Sequence, residues 1–375
     1  MNEWNINTSL PIDYTIKISN DLFSVNNNDL LQTGEKKENM RRLIVIDKNV
    51  YELYSKKILN YFNHYDVKCS IVLLEGGEQN KNLDALMYLL SEIEKFGLLR
   101  RGEPIIAIGG GVVLDIVGQA ASMFRRGVPY IRIPTTLLGI VDVSVAAKTG
   151  INFLERRNRI GSYYPPIAVY LDKIFIKTQN SLEISSGMGE ILKMAIVKDN
   201  KLFELLETYG EELLETKFQH EISDEVIERS IIGMIEELEI NLWEKNLKRL
   251  VDFGHSFSPI IEMRSINTEN PLTHGQAVTL DVLYSCLISK SRGMLSSEEV
   301  KRIFATTKRL KLPLYHPLFG NSILLKESLS DTMKHRNGKQ NLPIPVRIGK
   351  SIFINDFKYE ELIQICEQLK EKNEK

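Results

Sequence analysis

Three residues in the second half of the chain have side chains that can ligate a metal: Glu190 in GMGEILK, His255 in DFGHSF and His274 in LTHGQAV. Each histidine stands next to a glycine, just before or within a new apolar helical pattern, and Glu190 lies early in another. Two imidazoles and one carboxylate would leave an open position on Zn²⁺ for substrate hydroxyls. The chain has six histidines, and these two have the most structured surroundings. A histidine at a helix start also serves as a cap or a packed residue, and spacing alone leaves both readings open.

A second group would suit a nucleotide. Gly109, Gly110 and Gly111 follow the apolar segment PIIAI and precede a helical pattern. Without Cβ atoms they let backbone approach a pyrophosphate, and the helix N-terminus adds N–H donors and a positive dipole end. The spacing is not GxGxxG, so a plain tight turn is the competing reading. Asp47 ends the strand-like LIVID, where a carboxylate could meet a ribose hydroxyl. Thr135 and Thr136 follow the strand-like YIRIP, at the end where ligands bind in open α/β sheets, although turn capping after Pro134 would need the same residues.

Charged residues of both signs supply substrate contacts. Asp142 and Lys148 lie in IVDVSVAAKTGIN, a small-residue stretch that a ligand can approach closely. Lys193 is three residues after Glu190, so the two share a helix face. Arg126, Arg157 and Asn158 add donors for a phosphate. Solvated ion pairs and a charged helix end explain the same residue types.

These residues must be positioned by two kinds of structure. TIKI at 15–18, LIVID at 43–47, SIVLLEGGE, PIIAIGGG and YIRIP read as strands, and 81–97 and VVLDIVGQAASMF as helices. Such alternation predicts a mostly parallel sheet covered on both faces, a Rossmann-like α/β domain. After about residue 180 strand signals nearly vanish, apart from VRIGKSIFI. Segments 182–198, 200–216, 222–242, 256–264, 275–293, 296–310 and 356–373 look helical. The expected division is a nucleotide domain at 1–180 and an α-helical metal- and substrate-binding domain at 181–375.

Composition narrows the function classes. A net charge of −1 provides no global field for nucleic acid or an anionic membrane. Three scattered cysteines without a CxxC fit a reducing compartment. There is no signal-peptide pattern at the start and no stretch of about 18 apolar residues. The expectation is a cytoplasmic enzyme with a small-molecule substrate and neither a nucleic acid nor a membrane partner.

Taken in order, GGGVVLDIVGQAAS, RIPTTLLGIVDVSVAAKTGIN, GMGEILK, DFGHSFSPIIEMR and HGQAV resemble the sugar phosphate cyclases, the superfamily of 3-dehydroquinate synthase. The likeness runs from about Asp47 to about Gly349. It implies a dehydroquinate-synthase-like fold, bound NAD, Zn²⁺ or Co²⁺, and a homodimer. Motif by motif, it implies Glu190, His255 and His274 as metal ligands. It implies Asp47, Glu78, Lys81, Gly110, Gly111, Thr135 and Thr136 at NAD. Asp115, Asp142, Lys148, Asn158 and Lys193 match positions around the nicotinamide and the substrate. Arg126 resembles the arginine that reaches a phosphate, that of the partner subunit.

The departures from 3-dehydroquinate synthases concern the substrate carboxylate. Their metal-histidine motif reads roughly NxGHTFGHAIE; here Asp252 replaces the Asn and Pro259 the second His. An arginine position carries Lys248, a lysine position carries Met234, and a DKK segment reads Arg336-Asn337-Gly338. A carboxylate needs buried cationic partners. Losing one to methionine and adding an aspartate disfavours such a substrate. EELEINLWE, VDFGHSFSPIIEM and KHRNGKQNLPIPVRIG are similar to the branch acting on sedoheptulose 7-phosphate, the 2-epi-5-epi-valiolone synthases, although Ala146, Ala147 and Gln276 depart from it. The chemistry this implies is transient oxidation by NAD, phosphate elimination, reduction, ring opening and an intramolecular aldol closure. Lys193, Asp142, Lys148, Asn158, Lys248, Asp252 and Arg126 are the substrate-side candidates. A 3-dehydroquinate synthase, another cyclase or a metal-dependent NAD polyol dehydrogenase are the rival readings.

Overall fold

The computed structural model describes residues 3–34, 40–154 and 156–373. Six parallel strands form the main sheet: β1 (Thr15–Ile18), β2 (Arg41–Asp47), β3 (Lys68–Leu74), β4 (Ile105–Gly109), β5 (Tyr130–Pro134) and β8 (Ala168–Leu171). Their order is β1-β8-β5-β4-β2-β3. The inner strands are apolar on both faces, and β4 and β5 are buried throughout, as a sheet covered on two sides requires. One face packs against α2 (Leu83–Phe96) and α3 (Gly111–Met123), the other against α1 (Lys48–His64). The chain leaves β2 toward β3 and returns to place β4 on β2's other side. The switch point thus lies between the carboxyl ends of β2 and β4, where such sheets bind ligands.

An antiparallel hairpin, β6 (Lys148–Phe153) and β7 (Arg156–Tyr163), stands apart from this sheet. The sequence reading assigned no element to 148–163 beyond a small-residue stretch around Lys148, and these two strands show no clean apolar alternation.

The rest is mainly helical: α4 (Ser181–Val197), α5 (Asn200–Glu215), α6 (Ser223–Glu239), α7 (Ser258–Ser265), α8 (His274–Ser291), α9 (Ser297–Arg309), α10 (Ser322–His335) and α11 (Tyr359–Asn373). The strand signal near the end is a hairpin of β9 (Leu342–Arg347) and β10 (Lys350–Ile354). Helix α4 is buried from Ile184 to Val197, which makes it the axis of this half. Its core continues into Leu137, Ile140, Val169 and Leu171 of the sheet half. No described helix is long and apolar enough to cross a membrane.

Candidate active site and metal centre

Two helices touch backbone to backbone beside Glu190 and His274. A Cβ on Gly275 would sit 1.7 Å from the Ser186 carbonyl oxygen, and one on Gly189 would sit 2.3 Å from that of Gly275. No side chain fits at either place, so α4 and α8 approach until Glu190 and His274 face each other. Thr273 caps α8 in a box with Gln276, and the Gly275 N–H donates to Ser186 Oγ at 3.0 Å. The third residue arrives on the loop before α7. Gly254 there has φ +75, and a Cβ on it would meet Val278 of α8 at 2.8 Å. Only glycine satisfies both the backbone conformation and the contact. Asp281 of α8 accepts the N–H groups of Phe257 and Ser258, and Thr332 of α10 donates to the Ser256 carbonyl, so His255 sits on a braced loop.

The ligand atoms of Glu190, His255 and His274 all lie within 4.8 Å of one another, the one such cluster found among the described residues. Glu190 Oε1 is 3.2 Å from His274 Nε2 and 3.7 Å from His255 Nε2, while Oε2 is 2.5 Å from Lys193 Nζ. Both carboxylate oxygens are buried, and neither accepts a well-aligned hydrogen bond. A buried carboxylate that faces two imidazoles with one oxygen and the Lys193 ammonium with the other is a donor set that a divalent transition cation can take. The far side of each ring is held as well. Phe253 O lies 3.1 Å from His255 Nδ1, and Glu262 Oε2 lies 3.0 Å from His274 Nδ1. Such partners leave Nε2 of each ring to the metal.

The electrostatics agree. Burial, then Lys193, pushes His255 down to about 3, so it stays neutral and able to ligate. For His274 burial and Arg157 act downward, but Glu262 and Glu190 prevail and hold it up to about 9; a cation at Nε2 takes the place of a proton. Burial would raise Glu190, yet Lys193 and the two histidines hold it well below the usual carboxylate range.

A cavity of about 700 Å³ begins at Asp47, passes Gly110 and Thr136 and ends at His274 and Glu262. It covers the switch point, and the first turn of α3 (Gly111, Val112, Val113) lines it. A Cβ on Gly110 would press on Thr136 at 3.1 Å, so the glycines serve close packing here and not a positive φ. The capping alternative holds in part for Thr136, and Asp47 proves to be a cap as well. Asp47 Oδ1 caps α1 by accepting from Asn49 and Val50, and Thr136 Oγ1 accepts from Gly139 N at 3.0 Å. Glu78, also on the cavity wall, is held to about 2: burial opposes this, but Arg157 and Lys81 outweigh it.

The remaining sequence candidates divide into three places and two exposed residues. Asp142 sits beside the metal cluster; burial and then the Glu190 charge raise its pKa, against Lys193. Lys81 joins Asp115 and Asn158 at 2.6 Å each, a knot under the hairpin. Asp252 is paired with Arg249 and lies 3.6 Å from Arg336, while Glu244 clamps both Lys148 and Arg249. Lys248 and Arg126 are exposed and make no side-chain contact that ties them to this cluster. Arg125 and Arg126 both have positive φ, 48 and 63. Glu262, Arg249, Glu244 and Arg336 were not singled out from the sequence as site residues. Glu262 closes the quoted stretch HSFSPIIE, one helical turn past Ser258, which is the signal that could have found it.

Comparison with known proteins follows the same lines. The family model described as 3-dehydroquinate synthase N-terminal matches residues 71–186, and the one described as 3-dehydroquinate synthase C-terminal matches 187–337. The chain belongs to the 3-dehydroquinate synthase family of sugar phosphate cyclases. A 2-epi-5-epi-valiolone synthase of Actinomyces sp. is 42% identical over 378 residues, covering 99% of this chain and 98% of its own. A demethyl-4-deoxygadusol synthase of Trichormus variabilis is 35% identical, covering 94% and 86%. The solved 2-epi-5-epi-valiolone synthase of Streptomyces hygroscopicus subsp. jinggangensis 5008, with NAD⁺ and Zn²⁺ bound, superposes with a TM-score of 0.94 at 39% identity, covering 98% and 100%. For this sugar phosphate cyclase the fold expectation holds: a Rossmann-like parallel sheet followed by the helical half of the family.

Proposed function

We propose that the protein cyclises sedoheptulose 7-phosphate to 2-epi-5-epi-valiolone or an epimer, with loss of phosphate, using NAD and one divalent cation, Zn²⁺ or Co²⁺. The observation that carries the reading is the buried carboxylate of Glu190 beside two imidazoles, at one end of a cavity that starts at the β2–β4 switch point. The relatives of known name support the substrate. We assign residues 1–180 to the nucleotide and 181–375 to the metal and substrate, as a cytoplasmic homodimer.

Glu190, His255 and His274 would hold the cation; Asp47, Glu78, Gly110, Gly111, Thr135 and Thr136 would line the nucleotide. Bound there, NAD supplies reversible oxidation of a carbinol carbon and the cation a Lewis acid for hydroxyl groups. Lys193, buried between Glu190 and Asp142, directs an ammonium at any oxygen that enters. Asp142, beside Glu190 and Lys193, would hydrogen-bond a substrate hydroxyl there. Lys148, Lys81, Asp115 and Asn158 set the hairpin that closes over the phosphate end. Arg126, exposed on a turn with positive φ, would reach the partner's site, as the resemblance to the family implies.

The choice of a sugar without a carboxylate rests on charge balance. Arg249 is matched by Glu244 and Asp252, Arg336 faces Asp252, and Met234 is apolar and buried. No guanidinium in this group is left for a substrate carboxylate.

The test is phosphate release from the purified protein with Zn²⁺ or Co²⁺ and catalytic NAD⁺. Sedoheptulose 7-phosphate, the carboxylated heptulosonate phosphate and glucose 6-phosphate are offered separately. Release from the first without net NADH is expected. Release from the heptulosonate alone would make it a 3-dehydroquinate synthase, and stoichiometric NADH without phosphate release a polyol dehydrogenase.

A further inference from the structure

A charged residue stands in the middle of β5, in the otherwise apolar YIRIP. Arg132 is fully buried. Its partners are backbone carbonyls: Nη1 donates to Val143 O at 2.8 Å and to Ala146 O at 2.5 Å, and Nη2 donates to Lys148 O at 3.0 Å. Its Cζ lies 5.5 Å from the centre of the Tyr130 ring, whose face favours a cation. A guanidinium carries its donors in a fixed planar fork, so one side chain can reach three acceptors at once.

All three carbonyls belong to the segment that joins Asp142 to Lys148. Asp142 lies in a single π turn, Gly139–Val143, closed by the Ser144 N–H donating to Gly139 O at 2.9 Å. Turns of this kind are local departures from the α-helix and recur at functional sites. Beyond it the chain has no repeating hydrogen-bond pattern until β6 begins at Lys148, yet Ser144, Val145 and Ala147 are buried. Carbonyls in such a stretch have neither a ladder nor bulk water, so their donors must come from elsewhere. Arg132 supplies three of them, the Tyr14 hydroxyl donates to Val145 O at 2.6 Å, and the Tyr164 N–H donates to Ala147 O at 2.8 Å. At one end of this backbone Asp142 stands beside Glu190 and Lys193; at the other Lys148 pairs with Glu244. Arg132 holds both ends.

We propose that Arg132 is a positioning residue for the cyclisation: with Tyr14 as its lesser partner, it fixes where the side chains of Asp142 and Lys148 stand, without touching sugar, nucleotide or cation. This rests on the assignment of Asp142 and Lys148 to the substrate. Catalysis by oriented groups is sensitive to small displacements, and a shift of about 1 Å can cost about a hundredfold in rate. Lysine at position 132 keeps the charge but carries its donors on one atom, which cannot span the carbonyls of Val143, Ala146 and Lys148, so the segment relaxes. Phenylalanine at position 14 removes one donor and leaves Arg132 in place, a smaller disturbance of the same backbone.

Phosphate release from sedoheptulose 7-phosphate by the full-length protein tests this, with Zn²⁺ and NAD⁺ present and rates expressed per NAD⁺-binding site. Arg132→Lys should lower kcat per site about 10- to 100-fold and Tyr14→Phe about 3- to 10-fold, while the affinities for NAD⁺ and Zn²⁺ stay within about twofold of the parent. Val169→Ala is the control for a purely structural role. Val169 is buried and stands in register with Arg132 on the neighbouring strand, and its apolar side chain can hold no carbonyl. That variant should melt at a lower temperature and keep the parental kcat per site. If Arg132→Lys keeps the parental kcat per site, or if Val169→Ala loses as much as Arg132→Lys, the positioning role is overturned and the cyclase reading stands. Should Arg132→Lys fail to fold and bind no NAD⁺, Tyr14→Phe decides, and a parental kcat per site there overturns the proposal. A parent that releases no phosphate from this sugar overturns the functional reading, and this one with it.

Discussion

Gly189 and Gly275 place α4 and α8 in backbone contact, and the residues beside them, Glu190 and His274, meet because of it. The cluster proposed to hold the cation is thus a property of the helix crossing as much as of its side chains. An added methyl group at Gly275 has no free space, since the atom it meets is the Ser186 carbonyl oxygen and not a side chain that could turn away.

Gly275→Ala should therefore force the helices apart. The expected cost is about 2–3 kcal/mol of stability and at least tenfold weaker Zn²⁺ binding. Urea unfolding and metal titration measure the two effects. Gly293→Ala is the control, because a Cβ there meets nothing within 4 Å and the cost is only that of its φ of +70.

Glu262→Gln should weaken Zn²⁺ about 10- to 100-fold while the fold is kept, since a carboxamide of the same shape holds the His274 ring less firmly. Competition with a chelator of known affinity gives the number, and circular dichroism shows that the helices persist.

Glu190, His255 and His274 could be found from residue type and setting, and the inner strands from their unbroken apolar runs. What escaped has physical causes. Helix α10 buries Leu325, Ser328 and Thr332 on its inner face; two of these three are polar, so the hydrophobic period is faint. The β6–β7 hairpin carries Lys148, Arg157 and Asn158 among small and polar residues, so it lacks the apolar alternation of a half-buried strand. Lys248 was singled out by alignment with an arginine, yet it points to solvent, and the neighbouring Arg249 makes the ion pairs with Asp252 and Glu244. A shift of one position turns a side chain to another direction, and only the folded chain reveals it.

Asp252→Asn restores the residue type of the 3-dehydroquinate synthases but leaves Arg249 and Arg336 with less compensation. Burial opposes the Asp252 charge, and these two guanidinium groups hold its pKa low. Removing that charge should cost about 3 kcal/mol, read from urea unfolding at pH 7. Zn²⁺ affinity should change little, because Asp252 is not among the three ligands.

Asp281 gives a pH signature of its own. Burial, opposed by backbone donors, lifts its pKa from 3.8 to about 6. The folded protein then holds the proton more tightly than the unfolded chain. The stability this contributes is complete in acid and is lost as pH rises from about 4 to about 6, a total of up to about 3 kcal/mol. Asp281→Asn still accepts the N–H groups of Phe257 and Ser258 and lacks the titration. Relative to the parent it should gain stability across that window. Paired urea melts at pH 4, 5, 6 and 7 should show the difference growing and then levelling off above pH 6.

Anomalous diffraction at the zinc edge, from crystals grown with Zn²⁺ and NAD⁺, tests the central claim most directly. One strong peak is expected, about 2.0–2.2 Å from a Glu190 oxygen and from Nε2 of both His255 and His274, with nucleotide density along the cavity from Asp47. A map with no peak among those three side chains, or with its zinc bound elsewhere while the protein turns over sugar, would contradict the account.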